Sequence, residues 1–101
     1  MSRPSREAVA RWNTAYAEQT EALFAAAASD EPAAALRLAV GYSAVAQAWR
    51  ILAADLAVAL WARHACSIAA EEFERRARVE QARVNLIDPN KGAGGGAAEE
   101  A

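Results

Sequence analysis

The sequence has few of the residues that interrupt helices or crosslink small folds. It contains 5 glycines and 3 prolines, and only Gly41 of these falls between Pro32 and Asp88. This long stretch is rich in Ala, Leu, Arg and Glu, which favour helix. The single cysteine, Cys66, excludes an internal disulfide and suits a reducing compartment. We therefore expect an all-α protein in the cytoplasm.

Long apolar runs and an excess of one charge are also missing. The most apolar run, residues 51–62, is interrupted by Asp55 and falls short of the roughly 20 apolar residues of a transmembrane helix. No apolar segment follows the first residues as it would in a signal peptide. The 11 basic and 13 acidic residues are interspersed, which argues against the basic patch that nucleic acid requires. We expect neither a transmembrane segment nor a nucleic-acid partner.

Helical periodicity organises what remains. A first helix over about residues 4–28 carries an apolar stripe that includes Val9, Tyr16 and Leu23. A short break at residues 29–32 precedes a second helix over residues 31–87, and so short a connection makes the two helices antiparallel. The predicted domain, residues 1–89, is thus an antiparallel helical hairpin with one very long second helix. The Gly/Ala-rich residues 90–101 are expected to be a disordered tail.

The second predicted helix carries an apolar row at alternating steps of three and four, from Leu38 to Ile87. Such a row is typical of a coiled-coil seam. A second row begins at Val40 and stops at Glu72. The folded-back first helix places Trp12 near Trp49 but reaches only to about residue 55, so the later part of both rows has no cover within the hairpin.

An apolar row of this length is not left in water in a monomer. Either copies of the chain associate, or the row docks onto a foreign apolar surface, or the second helix breaks and folds back. Because no glycine or proline is present to make a break, we expect a coiled-coil-like, oligomeric bundle. The expected interface residues are Leu56, Val58, Trp61, Cys66, Ile68, Phe73, Val84 and Ile87.

Few residues suggest chemistry. Asp55 is the one charge in the apolar run, either as a buried functional acid or in a structural ion pair. The hairpin places Arg3 or Arg6 opposite it, and we favour a pair with Arg6. His64 and Cys66 are two residues apart and do not share a helix face, so they make a poor metal or nucleophile pair. We expect no catalytic residue, metal or cofactor, and therefore no enzyme.

A minor alternative is a small all-helical enzyme with an arginine-lined pocket. In all-helical chorismate mutases, such side chains stabilise a dianionic transition state electrostatically. The residues that could line an anion pocket here are Arg11, Gln47, Arg50 and Arg63.

Residues 30–42, Asp-Glu-Pro-Ala-Ala-Ala-Leu-Arg-Leu-Ala-Val-Gly-Tyr, resemble the central signature of phasins, the helical proteins that coat polyhydroxyalkanoate storage granules. In that family a helix ending in small residues is followed by Asp, Pro, an Ala-Leu pair and an aromatic residue. The family usually has a glutamine near Ala39, which this chain lacks.

The resemblance implies a non-enzymatic coat or structural protein that self-associates and binds granule surfaces through amphipathic helices. The alternative is an oligomerising helical adaptor or regulator that binds a partner helix of another protein through its coiled-coil seam.

Overall fold

The computed structural model describes residues 3–87, which form three helices and no strand. These are α1 (Arg6–Ala27), α2 (Pro32–Ala53) and α3 (Leu60–Ile87). The expected all-α class is confirmed. α2 is the central helix, because α1 and α3 each pack against it while their own backbones do not approach one another. Residues 1–2 and 88–101, with the expected tail and both ends of the expected domain, lie outside the described residues.

Local hydrogen bonds set the start of α1 and the first turn. The Ser5 hydroxyl oxygen accepts from the Ala8 N–H at 3.0 Å, which caps α1. The Ser29 hydroxyl oxygen accepts from the Glu31 N–H at 3.0 Å, and Pro32 follows as the first residue of α2. The turn is therefore short. The ring centroids of Trp12 in α1 and Trp49 in α2 lie 5.1 Å apart, as the hairpin geometry predicts.

The prediction of one unbroken helix over residues 31–87 is wrong. The chain leaves the helix after Ala53 and re-enters it at Leu60, so that α3 folds back along α2. The turn between them, residues 54–59, contains neither glycine nor proline. Its backbone keeps some hydrogen bonds, including Asp55 N–H to the Leu52 carbonyl at 3.2 Å and Val58 N–H to the Asp55 carbonyl at 3.0 Å.

Burial explains why the helix breaks. The row that the sequence offers as an intermolecular seam packs against α2 of the same chain, where Ala70, Ala77 and Val84 are buried. Fully burying a valine-sized side chain contributes about 1.5–3 kcal/mol. Exchanging one backbone hydrogen bond for water costs only about 0.5–1.5 kcal/mol. The free energy of apolar burial along the 28-residue α3 therefore outweighs the free energy of the few backbone hydrogen bonds lost in the short turn.

Small residues bring α1 and α2 close together. Ala8, Ala15 and Ala22 recur at seven-residue steps in α1 and are all buried. A Cβ atom added at Gly41 would lie 3.2 Å from the Gln19 Cα atom, closer than ordinary van der Waals contact. The backbone of α1 at Gln19 therefore leaves no room for a side chain at position 41 of α2.

The large side chains of α1 lie to the side of this interface. Val9, Tyr16 and Leu23, members of the expected apolar stripe, remain exposed. Trp12 is half-buried and stacks on Tyr16 with ring centroids 4.8 Å apart. The apolar stripe expected from the sequence therefore lies one position after the alanines that face α2.

Replacing Ala22 by Leu should destabilise the fold by about 1–3 kcal/mol, because the extra atoms must separate two helices that touch. The matched control is Ala17→Leu, at an exposed position of the same helix. It should leave the stability nearly unchanged. Urea unfolding followed by circular dichroism measures both, and equal stability of the two variants would contradict the close packing described.

Candidate functional site

The turn between α2 and α3 presents a continuous apolar surface to solvent. Residues 56–61, Leu-Ala-Val-Ala-Leu-Trp, are all apolar, and we call them the apolar tip. Leu56 is 86% exposed, Leu60 73% and Trp61 77%. Three large apolar side chains this exposed within six residues are unusual for a surface that contacts only water. The apolar tip is therefore the leading candidate for a contact site.

Asp55 holds the base of the apolar tip. One carboxylate oxygen, Oδ1, accepts from the Ala57 N–H at 2.9 Å, and Oδ2 accepts from the Ser5 N–H at 3.1 Å. The first bond ends α2 in an Asx-type turn, and the second ties the start of α1 to the same turn. The expected ion pair between Asp55 and Arg6 is not among the ion pairs formed within residues 3–87. The Asp55 carboxylate thus binds backbone groups of the turn and of the α1 start.

The expected interface residues separate into two groups. Leu56 in the turn and Trp61 and Ile68 in α3 are exposed, and Val58 in the turn is half-buried. Cys66 is half-buried, and its burial raises the pKa of the thiol. The first group is open to a partner, whereas Cys66 lies toward the body of the chain.

The remaining interface residues lie in α3. Phe73 packs on the core, with its ring 6.0 Å from that of Tyr42 and 4.8 Å from the Arg76 guanidinium carbon. Val84 is only 2% exposed. Phe73 and Val84 are covered within the chain, because α3 folds back on α2. The side chain of Ile87 lies outside the described residues.

The far side of α3 carries a second apolar row that the sequence interpretation ended too early. We call it the outer row: Trp61, Ala65, Ile68, Glu72, Arg75, Val79, Ala82 and Leu86. Ile68 is 54% exposed, Val79 52% and Leu86 82%. Glu72 appeared to end this row, but apolar residues resume after Arg75 with the same spacing. Val79 and Leu86 were missed, although the continuing periodicity could have identified them.

Ion pairs cluster on the exposed side of α3. The Glu72 carboxylate accepts from Arg75 at 2.7 Å and from Arg76 at 2.8 Å. These two hydrogen bonds, the one from Arg75 foremost, lower the pKa of Glu72 to about 2. Arg50 of α2 donates two hydrogen bonds, of 2.9 and 3.0 Å, to Glu74 and thereby lowers the pKa of the Glu74 carboxyl. This last pair connects α2 with α3.

The side chains proposed for an anion pocket are not brought together. Arg11 and Gln47 line the same open groove between α1 and α2. Arg50 is engaged by Glu74, on the side of α2 that faces α3. Arg63, in the first turns of α3, has a buried Nε atom without a hydrogen-bond partner among residues 3–87. The geometry thus offers two of the four side chains to one ligand.

Replacing Asp55 by Ala should destabilise the protein by about 1–2 kcal/mol, since two backbone N–H groups lose their acceptor and each bond contributes about 0.5–1.5 kcal/mol. Asp30→Ala is the control, because Asp30 accepts no hydrogen bond within the described residues. Chemical denaturation measures both variants. The same loss at both positions would show that the Asp55 carboxylate does not hold the turn.

Glu72 should contribute to the acid sensitivity of the fold. Because its folded pKa of about 2 lies below the ordinary value of 4.5, its contribution is present above that ordinary value and is lost as pH falls through the folded pKa. Between pH 4.5 and about 2, the stability of the Glu72→Gln variant should therefore depend less on pH than that of the wild type. The effect should be small and salt-sensitive because the pair is exposed.

Glu18→Gln provides the comparison, since Glu18 is exposed on α1 and forms no ion pair among the described residues. Acid titration followed by circular dichroism measures the change. A pH profile of Glu72→Gln identical to that of the wild type would contradict the assignment.

Within residues 3–87, no helix has both the length and the hydropathy needed to cross a membrane, and no three potential metal-binding side chains of His, Cys, Asp or Glu come together. Of the large apolar side chains within residues 3–87, the four most exposed are Leu56, Leu60 and Trp61 of the apolar tip and Leu86 of the outer row. Comparison of the chain with protein-family models, with curated proteins and with solved structures found no match.

Proposed function

We propose that this chain is a cytoplasmic, non-enzymatic coat or structural protein that self-associates and attaches to hydrophobic surfaces, in the manner of the phasins that it resembles. The surface in question is that of a hydrophobic polymer particle such as a polyhydroxyalkanoate granule. The observation that carries the proposal is the apolar tip, where Leu56, Leu60 and Trp61 are each more than 70% exposed.

The chemistry of the apolar tip suits a hydrophobic surface better than a small ligand. It contains no charged side chain between Leu56 and Trp61. Transfer of apolar area from water contributes about 25 cal/mol per Å², so docking of three large side chains gives a favourable contact without any shaped pocket. The indole of Trp61 is suited to a boundary between water and an apolar phase.

The segment that resembles phasins has a different role in this arrangement. Residues 30–42 make the α1–α2 turn and the first half of α2, where Leu38, Ala39 and Tyr42 are buried. The segment therefore supports the packing of the hairpin. The proposed contact residues follow it in the chain and are held at the opposite end of α2.

An adaptor that binds another protein through a helix is the second candidate. The outer row of α3 favours it, because Ile68, Val79 and Leu86 are exposed at helical spacing. The two surfaces share only Trp61. Mutation of Leu56 and Leu60 in the apolar tip, or of Ile68, Val79 and Leu86 in the outer row, therefore separates the two candidates.

Replacing Leu56 and Leu60 together by Ser should strongly reduce co-sedimentation with polyhydroxybutyrate particles. Trp61 is left unchanged, because it also belongs to the outer row. Because Leu56 and Leu60 are exposed in the folded chain, the helicity should not change. The matched control replaces Phe24 and Val40 by Ser, since both are exposed but lie outside the apolar tip. The control variant should sediment with the particles as the wild type does.

The proposal fails if the wild-type protein ignores particles that bind an authentic phasin. It also fails if the tip variant and the Phe24 and Val40 variant lose binding equally, because attachment would then not depend on the tip. Capture of one specific protein through the outer row, without any polymer affinity, would establish the adaptor instead.

A further inference from the structure

We infer that α3 is a dimerisation helix that pairs, along its outer row, with α3 of a second copy of this chain. The two helices run antiparallel about a two-fold axis that passes between Phe73 and Glu74. This gives the interface for the self-association included in the proposed function, but its geometry and its test involve no hydrophobic particle.

The outer row is free for a partner because the fold uses the opposite face of α3. Ala70, Ala77 and Val84 are buried against the chain's own core. With about 3.6 residues per turn, the outer row lies on the other side of the helix. Six of its eight residues are apolar, and their spacing in alternating steps of three and four is that of a coiled-coil seam.

The outer row is symmetric about its own centre. In the antiparallel arrangement, Trp61 meets the partner's Leu86, and Ile68 meets the partner's Val79. Between these layers, Ala65 meets the partner's Ala82. Every apolar residue of the row thus faces an apolar residue, as an isologous interface requires. A foreign partner would match this pattern only by coincidence, whereas a second copy matches it by symmetry.

The charges select the same register. At the centre of the row Glu72 already pairs with Arg75 of its own chain. In the dimer it also meets the partner's Arg75, and by symmetry Arg75 meets the partner's Glu72, so the four charges form one cluster. A parallel pairing would instead oppose Glu72 to Glu72 and Arg75 to Arg75, and like charges in contact are strongly unfavourable. One polar layer within an apolar seam fixes register and orientation in this way.

The flanking charges agree. Glu71 and Arg78 are exposed and form no ion pair within the part of the chain that the structure describes. In the antiparallel register, Glu71 lies beside the partner's Arg78 at the edge of the seam, and the symmetric pair lies on the other side of the central layer. Two complementary pairs of this kind favour association with a second copy.

Charge reversal tests the inference directly. Sedimentation equilibrium of the wild-type chain should show a reversible dimer. Glu72→Arg and Arg75→Glu each oppose like charges at the centre of the seam and should weaken dimerisation by about tenfold or more. The double variant Glu72→Arg/Arg75→Glu restores opposite charges and should recover most of the affinity. Circular dichroism shows whether each variant keeps its helicity.

Three outcomes would overturn the inference. They are a wild-type chain that stays monomeric at high concentration, single variants that dimerise as tightly as the wild type, and a double variant as weak as the singles. None of them depends on polymer binding. If only the tip variant loses particle binding, the proposed function is supported. If only the charge variants lose dimerisation, the dimer is supported separately.

Disulfide trapping tests the register. In a Cys66→Ser background, mixing an Ile68→Cys chain with a Val79→Cys chain should give a crosslinked pair under mild oxidation, because the two positions face one another across the seam. Neither chain alone should crosslink efficiently. Val40→Cys, exposed on α2 away from the outer row, is the control. Efficient crosslinking of Ile68→Cys to itself would overturn the antiparallel arrangement.

Discussion

The burial of α2 between α1 and α3 is the contact on which the rest of the structure depends. Val45, at its centre, is fully buried together with residues from the other helices. The backbones of α1 and α3 stay apart, but their side chains meet over α2, as Ala22 of α1 and Ala77 of α3 do in one cluster. Removing either helix would expose a face of α2 to water. The stability of this small chain therefore depends on both the α1–α2 and the α2–α3 helix pairs.

Close packing at these pairs determines what remains outside. Alanine and glycine occupy the positions where α1 meets α2, as Ala15, Ala22 and Gly41 show. Larger apolar residues are consequently displaced to the surface, and on α3 they gather in the outer row and at the apolar tip. The exposed apolar surface includes side chains of α1, among them Tyr16 and Phe24, but the four most exposed large apolar side chains lie in the apolar tip and the outer row.

Periodicity and turn chemistry were enough to predict the helical class, the turn before Pro32 and the row of α3 that becomes buried. They did not predict what covers that row, because the same spacing serves a helix of the same chain or of another. The break after Ala53 was missed for a related reason. Helix-forming residues fill the turn, and only Asp55 interrupts them, through hydrogen bonds to the Ser5 and Ala57 N–H groups that depend on the folded chain. The register of the apolar stripe in α1 was wrong because alanine, a weak hydrophobic signal, forms the contact.

The turn that Asp55 closes has a further consequence. Its residues all tolerate helix, so straightening it would join α2 and α3 into one continuous helix over residues 32–87. A straightened chain could still bury its α3 row, by laying it on the α2 of a second straightened chain with the same side-chain contacts. Such a domain-swapped pair differs from the folded monomer chiefly in the hinge. The long helix that the sequence suggests would be the conformation of such an exchanged form, whereas the Asp55 hydrogen bonds favour the folded-back one.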